Sequence, residues 1–142
     1  MPSDTFSHTV KVAASPESVA AALQVAATWK GIGPIDDVWD ATHEGEDLTG
    51  FRWSARAAGK SWEGTATRNE DPEPGTMTLD LDSSEIEGAL TVSYGPDGRG
   101  TALTVDLFAE SKGVLAGMFW GVVADAMRRG LPAQIEAFGQ QF

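Results

Sequence analysis

The chain has 142 residues, 21 of them acidic and 10 basic, a formal charge of −11 and no cysteine. The length fits a single domain over residues 1–142 with one sizeable core. Disulfides and thiolate metal sites are excluded, and the acidic average field repels a phosphate backbone, so no nucleic-acid partner is expected. No apolar run approaches the about 20 residues of a membrane span. The N-terminus MPSDTFSHTV lacks a basic segment followed by an apolar run, so no signal peptide is read and a cytoplasmic location is expected.

Residues 6–14 alternate. Phe6, His8, Val10 and Val12 share one side, opposite Ser7, Thr9 and Lys11, which predicts a half-buried strand. Ser15-Pro16-Glu17 then supplies an N-cap, a proline pre-set for the first helical position and a carboxylate for the positive helix end. Val19, Ala22, Leu23 and Ala26 form a stripe that predicts a helix over 16–27. Gly31, Gly33 and Pro34 leave room for no more than a helical turn at 28–31.

Six strand-like segments follow, at 37–44, 48–58, 60–69, 76–82, 86–94 and 101–109. Turn-forming residues separate them, Asp71-Pro72-Glu73-Pro74-Gly75 and Gly95-Pro96-Asp97-Gly98 among them. Trp39, Ala41 and His43 share a side of the first. Phe51, Trp53, Ala55 and Ala57 share one of the second, with Arg52 and Arg56 outward. The next strands turn Trp62, Gly64 and Ala66, then Met77, Leu79 and Leu81, then Ile86, Gly88, Leu90, Val92 and Tyr94 inward, and the last Leu103, Val105 and Leu107.

Residues 111–142 predict a long amphipathic helix. Leu115, Phe119, Val122, Val123, Ala126, Met127, Leu131, Ile135 and Phe138 recur at helical spacing, and Trp120, next to Phe119, is expected to point toward the first helix or solvent. Gly130 and Pro132 predict a bend near 129–131. The order specifies an α+β fold, an antiparallel meander with one polar face and the terminal helix covering the other.

The run from Val10 through Ser15-Pro16-Glu17 to Val19 resembles the START-like (SRPBCC) superfamily, which includes polyketide cyclase/dehydrase-type proteins. Trp29 with Gly33-Pro34, Thr49-Gly50-Phe51 and Arg128-Arg129-Gly130-Leu131 extend the resemblance over essentially the whole chain. It implies a helix-grip fold: a seven-stranded curved antiparallel sheet wrapped around the long C-terminal helix, with one or two short helices between strands 1 and 2. It also implies a cavity between sheet and helix. Members mostly bind apolar or aromatic small molecules, and a minority catalyse cyclisation or aromatisation.

Catalytic raw material is thin: two histidines, one tyrosine, no G-x-S-x-G elbow, no metalloprotease helix and no P-loop. Asp80-Leu81-Asp82 lies in a strand with both carboxylates outward and no following glycine, so no metal and no cofactor are expected. The tryptophans are more informative, since several indoles on a concave face suit a pocket for a flat or apolar ligand. The expected wall is Trp29, Trp39, Trp53, Trp62, Tyr94, Leu103, Val105, Met118, Phe119 and Val122. The 29–35 loop and the helix near Gly130–Pro132 would control access. Three readings follow. The first is a protein binding a lipid-like or polyketide-like small molecule. The second is a cyclase or aromatase using His8, His43 or Tyr94 for proton transfer. The third is an interaction module with an apolar outer patch.

Overall fold

Strand β1 (Ser3–Val12) leads into helix α1 (Pro16–Ala22) and a 3-10 turn (Ala26–Trp29). Strands β2 (Ile35–Glu44), β3 (Asp47–Ala57), β4 (Lys60–Arg68), β5 (Thr76–Ser83), β6 (Ile86–Asp97) and β7 (Gly100–Ser111) follow, then helix α2 (Trp120–Gly139). The computed structural model describes residues 3–32, 35–57, 59–69, 74–112, 118 and 120–142. Leu115, Phe119, Gly33, Pro34 and the breaker residues 71–73 lie outside these, as do the side chains of Ala57 and Lys60.

The seven strands make one curved antiparallel sheet in the order β1-β7-β6-β5-β4-β3-β2. Six consecutive strands form a meander, and the first strand pairs with the last. The chain must therefore pass from one sheet edge to the other between β1 and β2, and α1 with its turn makes that passage. Ser15 caps α1 as expected, its Oγ accepting from Ser18 N–H. The helix stops earlier than its apolar stripe suggests. A helix continuing to Ala27 would use the Leu23 carbonyl, and that carbonyl accepts instead from the Trp29 indole at 2.9 Å.

Burial alternates along β5 and β7, so the sheet buries one face and leaves the other to solvent. The β6–β7 hairpin is longer than the 95–98 turn predicts. Pairing runs to Asp97 opposite Gly100, and Gly98, at φ 62°, closes the hairpin in the left-handed conformation glycine adopts without strain.

Helix α2 covers the buried face. Trp120, Val123, Ala124, Met127, Leu131, Ile135 and Phe138 are its buried apolar residues. The helix runs unbroken through Gly130 and Pro132, so these two do not interrupt it. It lies along β1 in the same direction: Trp120 Nε1 donates to Asp4 Oδ2 at 3.0 Å, and Gly139 passes the Val10 and Val12 methyls too closely for a Cβ without adjustment. Arg128 sits 5.7 Å from the Phe6 ring centre with Asp4 Oδ1 at 3.5 Å.

Asp4 is therefore a pin for the helix start. Asp4→Ala leaves the buried Trp120 N–H without an acceptor and is expected to cost about 2 kcal/mol. Asp4→Asn, which keeps an acceptor, should cost much less. Urea unfolding of the two variants checks the difference.

Candidate functional site

The inward face of β3 and β4 carries the site. Phe51, Trp53 and Ala55 on β3, and Trp62, Gly64 and Ala66 on β4, are all buried. Trp53 stands directly opposite Gly64, and Trp62 opposite Ala55. A Cβ on Gly64 would lie 2.6 and 2.9 Å from Trp53 ring atoms, so the indole lies against the bare backbone of β4. Only glycine permits that approach. Two strands on, Gly88 opens the same floor, where a Cβ would run into the Phe108 carbonyl.

Above this floor is a small apolar cavity lined by Ile35, Trp53, Trp62, Leu81, Ile86, Leu107, Ala109 and Met127, with Gly88 and Phe108 completing it. Met127 of α2 is the helix's contribution. The free volume is about 20 Å³, room for about one water molecule. Among the described residues no ionisable side chain lines it.

Trp53 is 2% exposed and Trp62 8%, yet neither indole N–H has a hydrogen-bond partner. Ser111 Oγ is also buried and unpartnered, and the residue paired with it, Ile86, lines the cavity. Buried indole N–H groups ordinarily find an acceptor.

The other expected wall residues divide. Leu103 and Val105 are fully buried core residues of β7, and Tyr94 is half-buried against the core. Trp29 is fully buried, but its N–H is committed to Leu23, so it anchors the α1–β2 passage. Trp39 is misassigned by alternation. It pairs with the exposed Arg52, whereas Val38 pairs with Trp53 and packs against the core. The register shift between Ile35 and Asp37 moves β2 by one place, turning Trp39 to the outer side. Met118 and Val122 are 71% and 61% exposed, so they face solvent and do not form the wall. The helix presents Trp120, Val123 and Met127 instead, a face rotated from the expected one. Phe119 is outside the described residues.

Neither histidine lines the cavity. His8, its side chain 28% exposed, holds Glu136 of α2 at 3.0 Å from Nε2. His43 is exposed and its Nε2 meets the Gln24 carbonyl at 3.0 Å. Gln24 Oε1 also accepts from Leu48 N–H and Arg68, so this cluster ties the α1 end to β3 and β4. At the opposite rim Lys112 Nζ donates to Asp82 Oδ1 at 2.8 Å and to the Ser83 carbonyl at 2.9 Å. The hydrogen bond to Asp82 holds the lysine above its ordinary pKa. Among the described residues no group of three or more histidines, aspartates or glutamates could hold a metal ion. No helix among them is long and apolar enough to cross a membrane.

Solved structures share this architecture. A Thermus thermophilus protein aligns over 97% of this chain and 96% of its own, with a TM-score of 0.74 and 17% identity. A START superfamily protein from Mycobacterium smegmatis covers 88% and 94%, with a TM-score of 0.63 and 22% identity. The Zhui aromatase/cyclase from a Streptomyces species covers 99% and 86%, with a TM-score of 0.63 and 19% identity. Identities this low carry the fold alone. No curated protein is similar in sequence. Residues 3–141 match the family described as polyketide cyclase / dehydrase and lipid transport, and the chain belongs to this START-like family.

Proposed function

We propose that the protein binds an apolar or aromatic small molecule, lipid-like or polyketide-like, between the sheet and α2. The carrying observation is the cavity at Trp53, Trp62 and Met127, whose described lining is apolar and holds no ionisable side chain. The family's description, which joins cyclisation with lipid transport, agrees with such a cavity. At about 20 Å³ the cavity is closed to anything larger than water. A ligand enters as Met127, with three rotatable bonds, swings aside.

The cyclase reading has weaker support. His8 and His43 are engaged with Glu136 and the Gln24 carbonyl, away from the cavity wall. Tyr94 stands near the far end of the sheet, opposite Leu103.

Native mass spectrometry on freshly purified protein, followed by solvent extraction, tests the binding reading. The expected result is a co-purified uncharged or weakly polar small molecule that leaves on extraction. Protein that arrives empty, and stays empty after incubation with apolar extracts, contradicts it.

A further inference from the structure

The cavity reading leaves the Trp53 and Trp62 N–H groups without partners, and the described residues of the wall bring no side-chain oxygen to meet them. An unmet buried donor has lost its bond to water without replacing it, a cost carried in the empty state and removed when an acceptor arrives. A purely apolar ligand would leave these donors unmet, so plain ring stacking gives no reason for two indoles where phenylalanine would stack as well.

Among the described residues no cation lines the cavity. Lys112 is held by Asp82 and the Ser83 carbonyl at the rim. Arg128 is engaged by Asp4 and Phe6 on the outer side of α2. Arg68 is held by Gln24, and Arg52 and Arg56 are exposed on the opposite sheet face. A carboxylate drawn into this cavity would be a buried charge without a counter-ion.

We infer that Trp53 and Trp62 determine specificity, resting on the cavity reading above: their N–H groups select an uncharged ligand that carries an oxygen acceptor on an apolar body. Ketones, quinones and esters qualify. Hydrocarbons are held more weakly, and free fatty acids and other carboxylates are rejected.

Three probes with one ring system separate these classes: 2-acetylnaphthalene, its alkene isostere 2-isopropenylnaphthalene, and 2-naphthoate. Affinities are measured by calorimetry, and the indole N–H resonances are followed in protein labelled with 15N-tryptophan. The Trp53 and Trp62 signals are identified by their loss in Trp53→Phe and Trp62→Phe. The ketone is expected to bind about tenfold more tightly than the alkene, to move both indole N–H signals downfield, and to exceed the carboxylate by more. In either Phe variant the ratio of ketone to alkene affinity should fall towards one, whatever happens to binding of both. Equal affinity for ketone and alkene, or indole signals that do not move downfield with bound ketone, overturns the inference and leaves the cavity reading intact. That pattern would mean a trapped water meets both N–H groups. Tightest binding of the carboxylate overturns it too. If none of the three binds, the cavity reading falls and the inference with it. If one Phe variant fails to fold, the wild-type signal assigned through the other decides the matter.

Discussion

Trp29→Ala should lower stability by about 4 kcal/mol, a large share of the roughly 5–15 kcal/mol that holds a domain together. Trp29 is fully inaccessible, so its removal leaves a cavity as well as losing the transfer energy of the ring. It also strips the Leu23 carbonyl of the indole donor it has at the point where α1 gives way to the 3-10 turn. Trp29→Phe keeps much of the volume and loses the hydrogen bond, so about 2 kcal/mol is expected. Urea denaturation of both variants reads the difference. If Trp29→Ala unfolded at the wild-type midpoint but changed ligand affinity, Trp29 would be a pocket residue and the anchor role would be wrong.

Gly64→Ala is the second large effect. The new methyl would press on the Trp53 ring and collide with the Asp82 carbonyl of β5. Backbone cannot swing away like a side chain, so overpacking of about 3 kcal/mol is expected. The Trp53 indole would also be lifted from its seat. Gly100→Ala is the control: its methyl would meet the Val12 carbonyl, beside the β6–β7 hairpin and outside the cavity lining. The two variants should lose comparable stability, measured by thermal unfolding. At temperatures where both are folded, only Gly64→Ala should weaken ligand binding. Equal binding by the two would remove Trp53 from the site.

The strands were legible wherever alternation ran undisturbed. From β3 to β7 each strand buries one face and bares the other, so Trp53, Trp62, Leu79, Val92 and Val105 could be placed inward by parity. In β2 the alternation fails because register shifts near Asp37 and between Trp39 and Thr42 reset it. No signal in the residues themselves marks those shifts, although Asp40, a non-glycine residue at φ 52°, sits within the second. Helix α2 misleads for another reason. Its N-terminal half is apolar nearly all round, so periodicity cannot choose between the face of Met118 and Val122 and that of Trp120, Val123 and Met127. The face that is buried packs on the sheet through Trp120, Val123, Met127 and Leu131, and Asp4, 116 residues before Trp120, holds its indole N–H.

The cavity was legible in kind and not in detail. Inward tryptophans pointed to a pocket. That two indole N–H groups would lack acceptors could not be read, because the acceptors a folded chain provides depend on which strands become neighbours.

The most direct measurement follows the methionine methyls. The chain has four methionines: Met1, Met77, Met118 and Met127. With 13C-methyl labelling and an apolar aromatic probe such as 2-acetylnaphthalene, the Met127 signal should shift strongly as the ligand takes its place beside Trp53 and Trp62, while the exposed Met118 signal stays put. A Met118 shift with Met127 unmoved would place the ligand on the outside of the helix and contradict the account.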